Sequence, residues 1–336
     1  MAGAVSGGAE LFYERLCVAS AVRGETILPV IRRNPARAER LRAVGCQPVE
    51  LRFGGPMDFV TRWQVGRHLR RFAPQVVVAW MSRAAWHTPS GEWALVGRLG
   101  GFYDLSYYRR CDHLIGNTQG LVAWIRQQGW PADKVRYLPN FVMDLQGAVP
   151  LERESLGVPA SVPLLLALGR LHRNKAFDVL ICALRHLPEV HLVIAGEGPE
   201  RVALQRLALS EGVAERVHMP GWASDVSRLL ATCDVLVCPS RHEPLGNVVI
   251  EGWSARRPVV ATRAAGPSEL ISSGVDGVLV EVEAPEALAT ALAEVIARPD
   301  WGAALALAGR RRFEAEFAEG PVLVQWRAGL AEMVRA

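Results

Sequence analysis

The most chemically loaded stretch of the chain is Arg241-His-Glu-Pro-Leu-Gly-Asn-Val-Val-Ile-Glu251-Gly. It follows an apolar run of strand length and opens a helical pattern. Gly246 and Asn247 therefore fall where helix N-terminal amides have no intrahelical partner and point outward, a ready site for an anion. Glu251 lies one turn into the helix on the face of Asn247, and Glu243 sits in the loop before it. Amides that take an anion, flanked by two carboxylates that accept from hydroxyls, suit a ligand bearing both phosphate and sugar or ribose. Favouring the positive end of a helix would account for Glu251 alone. It does not account for both glutamates.

A second stretch, Gly169-Arg170-Leu-His-Arg-Asn-Lys175-Ala-Phe-Asp178, ends another apolar run, where open α/β sheets bind their ligands. Arginine outnumbers lysine 36 to 2 in this chain, so Lys175 stands out as a compact point charge. Arg170 and Lys175 together match the charge of a diphosphate. Gly196-Glu197-Gly198-Pro199 resembles half of a dinucleotide fingerprint. It lacks the third glycine, and Pro199 starts a helix rather than continuing a glycine turn. Gly7-Gly8 is a further candidate for a phosphate or acceptor loop. The chain contains no GxSxG, GxxxxGK[ST], HExxH or Asp-x-Asp, which removes support for hydrolase, P-loop kinase and metal-diphosphate chemistry.

The six cysteines include no CxxC. Cys233, Cys238 and His242 are close in sequence, but both cysteines fall in apolar patterns and read as buried free thiols of a reducing compartment. No metal site is expected. The charge is lopsided: residues 1–150 hold 19 basic against 11 acidic residues, and 151–336 hold 19 against 23. Arg32, Arg33, Arg37, Arg40 and Arg42, then Arg62, Arg67, Arg70 and Arg71, suit an anionic surface. No nucleic-acid signature accompanies them, so nucleic acid is not an expected partner.

These residues need a scaffold, and 336 residues, half of them apolar, are enough for two cores. In the second half, strand-length runs at 164–168, 191–195, 217–219, 235–238, 258–261 and 277–280 alternate with helical patterns near 176–187, 199–211, 224–232, 247–256 and 285–297. That alternation predicts a doubly wound parallel sheet. The first half repeats the theme at 26–31, 49–53, 76–80, 113–116 and 135–138. Residues 143–163 read as a linker with a short helix, and 320–336 as an amphipathic helix. The domains are expected at 1–150 and 151–318, with 319–336 a helix packing back on the first. Only Met1–Val5 precede the first glycine turn, so the opening strand of the first sheet is short or missing. Losing it would expose a sheet edge. No segment of about 20 apolar residues is present, and Glu10, Glu14 and Arg15 interrupt any leader, so the expected location is the cytoplasm.

Gly169-Arg170-Leu171, Lys175 and Asp178, then Gly196-Glu197-Gly198-Pro199, then Pro239-Ser240, Glu243-Pro-Leu-Gly and Glu251, then Gly266-Pro-Ser-Glu269, resemble the retaining family 4 glycosyltransferases of GT-B fold. Gly7-Gly8-Ala9-Glu10, Gly116-Asn117-Thr118 and Leu138-Pro139-Asn140 extend the resemblance over nearly the whole chain. It implies an α/β protein of two Rossmann-like domains facing a cleft. The donor would be a UDP- or GDP-linked sugar bound by the second domain, with no cofactor and no metal. Arg170 and Lys175, past Gly169, would hold its diphosphate with the amides of Leu245, Gly246 and Asn247. Glu251 would bind the ribose and Glu243 the transferred hexose. Trp222 would flank the base, while Glu197 and Gly198 border the pocket. Charge developing on the leaving phosphate is what the cations would stabilise.

Many relatives carry a histidine in or after the strand equivalent to 76–80. Here Ser82 or Arg83 stands in its place. The pattern from Arg98 to Thr118 resembles transferases that extend the lipopolysaccharide core. With the basic first half, this implies a saccharide or lipid-linked acceptor and peripheral contact with an anionic inner membrane. Gly7, Gly8, Arg83 and Asn117 are the acceptor-side or phosphate-loop candidates. A nucleotide-sugar epimerase of the same fold and a non-catalytic sugar-nucleotide-binding protein are the alternatives.

Overall fold

The computed structural model describes residues 1–4, 7–55, 57–223 and 225–334 and separates into two compact units, Met1–Phe141 with Glu319–Ala336, and Val142–Ala318. Ser6, Ser224, Arg335 and Ala336, which fall in the expected glycine turn and helices, lie outside the described residues. The first unit comprises α1 (Gly8–Val22), β1 (Val30–Arg32), α2 (Pro35–Arg42), β2 (Val49–Leu51), α3 (Phe59–Phe72), β3 (Val76–Trp80), α4 (Met81–His87), β4 (Ala94–Leu99), β5 (His113–Gly116), α5 (Gln119–Gln127) and β6 (Val135–Tyr137). The second comprises β7 (Leu164–Leu168), α6 (Phe177–Ala183), β8 (His191–Ala195), α7 (Arg201–Ser210), β9 (Val217–Gly221), α8 (Val226–Thr232), β10 (Val235–Cys238), α9 (Asn247–Ser254), β11 (Val259–Thr262), α10 (Ala265–Leu270), β12 (Val278–Val280), α11 (Pro285–Ala297) and α12 (Pro299–Arg312). The last helix, α13 (Glu319–Glu332), belongs to the first unit.

In the second unit six parallel strands lie in the order β12-β11-β10-β7-β8-β9. Both faces are covered, which is why the strands are continuous apolar runs. Along β7, Leu165 and Ala167 enter one core and Leu164, Leu166 and Leu168 the other. The strand order reverses between β7 and β10, so the loops at their carboxyl ends meet at the switch point, where open α/β sheets bind their ligands. Those loops carry Gly169–Lys175 and Pro239–Gly246.

The first unit holds a four-stranded parallel sheet, β3-β4-β5-β6, and a separate parallel pair, β1-β2. Residues 1–4 form no strand, although Met1 pairs with β1: its nitrogen donates to Val30 O at 2.7 Å, and its carbonyl accepts from Arg32 N at 2.9 Å. The fully buried β4 has no counterpart in the sequence reading, because Gly97 and Arg98 interrupt its apolar run. α10 and α12 were likewise not anticipated.

The units part at 141/142 rather than 150/151. Residues just past the break are already held by the second unit. Val142 N donates to Phe317 O at 3.3 Å, Asp144 takes a bidentate pair from Arg310 at 2.6 and 2.7 Å, and Leu151 N donates to Thr232 Oγ1 at 2.8 Å. In the first unit α13 closes an aromatic core. The Trp326 and Trp80 rings lie parallel with centroids 5.8 Å apart, and Trp326 Nε1 donates to Pro139 O at 2.9 Å. Gly329 lets the helix lie flush, since a Cβ there would meet Leu138 Cδ2 at 3.0 Å. Trp326→Ala should cost ~3–5 kcal/mol, the usual penalty for emptying a large aromatic site. Differential scanning calorimetry should show a fall of about 10 °C in the first unit's transition. A fall under about 3 °C would mean that α13 is not integral to that core.

Candidate functional site

At the carboxyl end of β7 the chain turns through Gly169, whose φ of 143° lies outside the range that side chains favour. The turn is packed backbone against backbone with the Gly196 loop after β8. A Cβ on Gly196 would lie 1.8 Å from Gly169 O, and one on Gly198 would lie 2.3 Å from Leu171 O. Leu171 N donates to Glu197 O at 2.9 Å, and Glu200 N to Leu171 O at 3.1 Å. The glycines of the Gly196-Glu-Gly motif therefore seat the cationic loop, whatever else they border. Glu197 itself points into solvent and is held by Arg201 at 2.8 and 3.1 Å.

The loop delivers Lys175 to Glu243. The ammonium is ion-paired with Glu243 Oε2, which also lies 3.5 Å from the Ser240 hydroxyl, while Oε1 accepts from Gly246 N at 3.3 Å. Burial pushes the Lys175 pKa down, but the charge and hydrogen bond of Glu243, with the charge of Glu251, outweigh it and hold the ammonium above the ordinary lysine value. Lys175, Glu243 and Glu251 thus share one electrostatic neighbourhood. Gly246 caps α9 in the left-handed region at φ 86°, which favours glycine. Asn247 Oδ1 is buried with no donor among the described residues, an acceptor suited to a hydroxyl. Leu245 is buried, and its backbone is braced by α10, because a Cβ on Gly266 would lie 2.4 Å from the Leu245 carbonyl. Gly266 N donates to Glu243 O at 2.7 Å.

Arg170 and Trp222 are brought into no such cluster. Arg170 is exposed with no ion pair among the described residues, and Trp222 is 73% exposed. Cys233 and Cys238 are buried, with burial pushing their thiols up to about 12 and about 11, while His242 is exposed.

The sequence reading missed Arg241 as a positioning residue. Its guanidinium grips Asp178 at 2.6 and 2.8 Å, donates to Arg173 O at 2.8 Å and pairs with Glu283. Arg241 N also donates to Asn174 O at 2.9 Å. One arginine therefore ties the Lys175 loop to the Glu243 loop. The bonds to Asp178 raise its pKa, and Arg241 in turn holds the Asp178 carboxyl below its usual range, although burial alone would raise it.

In the first unit, Gly7 and Gly8 are exposed at the start of α1, and Glu10 turns back to accept from Ala4 N at 2.7 Å. Asn117 is buried beside Thr118, which caps α5 through Leu121 N at 3.0 Å. Arg83 is exposed on α4, while Ser82 Oγ lies 3.3 Å from the Tyr108 hydroxyl. The helix follows β3 through Met81, a non-glycine at φ 67°, a strained turn of the sort found at functional sites. Also unanticipated is Arg98, fully buried with its guanidinium 4.8 Å from the Trp80 ring centroid. It donates to Asn140 Oδ1 at 2.7 Å, and its Nε and Nη1 have no partner among the described residues.

Residues 162–298 match the family described as Glycosyl transferases group 1. The chain is 35% identical over 316 residues to the lipopolysaccharide core biosynthesis glycosyltransferase LpsE of Rhizobium meliloti (strain 1021), spanning 93% of this chain and 92% of LpsE. It belongs to the group 1 glycosyltransferases. LpsD of the same organism, another lipopolysaccharide core biosynthesis glycosyltransferase, is 32% identical over 93% of this chain and 92% of its own. The fold of this glycosyltransferase is that of the Anabaena protein Alr3699/HepE, solved in complex with UDP. The TM-score is 0.84 at 20% identity, over 98% of both chains. The chain thus has the GT-B fold.

Arg241→Met should loosen the link between the two loops. Because Arg241 and Asp178 are both about a third or more exposed, the stability cost should be no more than about 1 kcal/mol. Asp178 has a depressed folded pKa, so its pairing stabilises fully above the ordinary value of 3.8 and is lost as pH falls below it. Urea unfolding at pH 7, 4 and 3 should show the wild-type advantage shrinking at the acid end. An advantage that grows on acidification would contradict the assignment.

Proposed function

We propose that this glycosyltransferase is retaining and metal-independent. It would move a hexose-type sugar from a UDP- or GDP-sugar to a saccharide or lipid-linked acceptor of the lipopolysaccharide core or another cell-envelope glycan. The observation that carries the donor side is the Lys175–Glu243 pair, beside Glu251 and the α9 N-terminus, where the loops after β7 and β10 meet. The names of LpsE and LpsD support the glycan class, and the UDP complex of HepE supports the donor class.

In the resting pair Glu243 stands where an entering diphosphate would compete for Lys175. Once displaced, Glu243 is free to accept from hydroxyls of the transferred sugar, and Asn247 Oδ1 takes another. Glu251 binds the ribose, the exposed Trp222 ring covers the base, and Arg170 adds a second cation. The acceptor hydroxyl then attacks C1 from the face that the phosphate leaves. The C1–O bond to phosphate breaks, the new glycosidic bond forms, and the hydroxyl proton passes to the departing phosphate oxygen. Negative charge grows on that phosphate, where Lys175 and the α9 amides would stabilise it and the exposed Arg170 would swing in to join them. Protein cations at this position remove the need for a bound metal. Gly7, Gly8, Arg83 and Asn117 are assigned to the acceptor or its phosphate.

Thermal shift in EDTA against UDP, GDP, ADP and NAD tests the donor site. A ligand at ~100 times its Kd adds ~2.7 kcal/mol. One nucleoside diphosphate should stabilise the protein, Lys175→Ala should abolish the shift, and a productive nucleotide sugar should give a product of unchanged anomeric configuration. Stabilisation by NAD alone would refute the donor reading.

Membrane contact is the companion proposal, with the enzyme cytoplasmic and peripheral. Among the described residues no helix is long and apolar enough to cross a membrane. The start of α3 instead presents Met57, Phe59, Val60 and Trp63 at 59–84% exposure, and Arg52 before the helix and Arg62, Arg67, Arg70 and Arg71 along it are also exposed. Apolar side chains among arginines suit the boundary of an anionic bilayer. The protein should co-sediment with vesicles holding about 30% phosphatidylglycerol and not with pure phosphatidylcholine. Phe59→Ser with Trp63→Ser should reduce binding about tenfold or more. Binding that is indifferent to salt and to lipid charge would count against it.

A further inference from the structure

In the first unit the parallel strands β3, β4, β5 and β6 all end on one edge of their sheet. Ligands of open α/β sheets bind beyond that edge. Arg83, Asn117 and Asn140 follow β3, β5 and β6 there, and β4 delivers Arg98 as its penultimate residue. Arg98 is 1% exposed and has no ion pair among the described residues. Asn140 Oδ1 accepts from its Nη2 at 2.7 Å, while Nε and Nη1 are enclosed without an acceptor. A buried donor left this way forfeits its hydration and gains nothing in return.

Beside Nη1 the sequence leaves a space. A Cβ on Gly100 would lie 2.8 Å from Arg98 Nη1 and 3.9 Å from the Tyr103 hydroxyl, and its three nearest atoms all belong to these two side chains. The φ of Gly100 is not in the left-handed region, so the backbone alone does not call for glycine. What it supplies is a notch. Gly100 and Tyr103 are both half-buried, which puts the notch at the boundary with solvent. The Tyr103 hydroxyl makes no hydrogen bond among the described residues. The charge of Glu10 acts on Arg98 and Tyr103, but its carboxylate already accepts from Ala4 N at 2.7 Å.

A guanidinium can only donate, so whatever enters the notch must accept. An anionic oxygen does so with about twice the strength of a neutral one, and it balances the buried charge. The neighbouring Phe102 is 48% exposed and stands edge-on to Trp124, with ring centroids 5.3 Å apart. An exposed aromatic face of this kind suits the flat side of a pyranose.

We propose that Arg98 and Tyr103, across Gly100, bind an anionic group, carboxylate or phosphate, carried by the acceptor saccharide. This rests on the transferase reading and deepens its acceptor side: the acceptor is acidic, and its charge positions the attacking hydroxyl. Arg98 and Tyr103 are then specificity residues.

The test titrates methyl glucuronide, glucose 6-phosphate and methyl glucoside into protein labelled with ¹⁵N at arginine. The Arg98 Nε–H signal, identified by its loss in Arg98→Lys, should move with one or both acids and stay still with the glucoside. Which acid moves it separates carboxylate from phosphate. Tyr103→Phe should weaken the binding about tenfold, the loss of one hydrogen bond to a charged group. Gly100→Ala fills the notch and should abolish it. Neither variant should alter the thermal shift given by a nucleoside diphosphate. An Arg98 signal indifferent to both acids, equal movement with the glucoside, or affinity unchanged in Tyr103→Phe and Gly100→Ala would overturn the proposal. The transferase reading fails by a different result, the absence of stabilisation by any nucleoside diphosphate.

Discussion

A lysine ammonium that is largely enclosed by protein needs an anion, and at Lys175 the protein supplies its own. Glu243 is that anion, and it is held in turn by the Gly246 amide at the start of α9. The surrounding geometry follows from keeping these groups together. The Gly169 turn must approach the Gly196 loop closer than any Cβ allows, or the Lys175 loop would ride too high. Gly246 must adopt a left-handed conformation so that α9 begins beside the carboxylate. Gly266 must tolerate the Leu245 carbonyl, and Arg241 must join the two loops.

This arrangement is poised rather than saturated. A buried ion pair gains little net stability, since desolvation offsets most of the attraction. In the donor reading proposed above, its value would lie in what can replace it: a diphosphate would compete with Glu243 for the Lys175 ammonium and the start of α9, and the released carboxylate would offer two acceptor oxygens to hydroxyl groups. Because the diphosphate brings more negative charge than the carboxylate it displaces, a further cation such as Arg170 would have to join Lys175 in balancing it.

Much of this was legible in the residues alone. Runs such as Leu164–Leu168 and Val235–Cys238 are apolar on both faces because helices cover both sides of the sheet, and no other environment selects that pattern so strongly. Lys175 stood out because arginine serves almost everywhere else. What was not legible depends on distant partners. Arg241 clamps Asp178 and Glu283, which lie 63 and 42 positions away, and nothing in its neighbourhood announces either. β4 was hidden by Gly97 and Arg98. The glycine is required because a Cβ there would lie 2.5 Å from the Tyr108 ring and 2.8 Å from Leu114. The arginine is tolerated because Trp80 and Phe12 offer it aromatic faces, and Asn140 one oxygen. The unit boundary was misplaced because Val142 and Asp144 are anchored by Phe317 and Arg310, far along the chain.

The two units treat a buried cation differently, and the contrast says where rigidity resides. Lys175 has a carboxylate, and its pKa stays above the ordinary value. Arg98 has ring faces and one amide oxygen, and burial drives its pKa down to about 10. A cation faced mainly by ring quadrupoles and dipoles, with the Glu10 charge adding to them, sits in a shallower well than one paired with a carboxylate. Around Arg98 the geometry is held by the packing of Phe12, Trp80, Phe141 and Trp326 together with the hydrogen bonds to Asn140 Oδ1 and Pro139 O. Packing transmits displacement where a charge pair would absorb it. The first unit is therefore held around Arg98 mainly by aromatic packing, whereas the Lys175 and Glu243 loops of the second are held mainly by their charges.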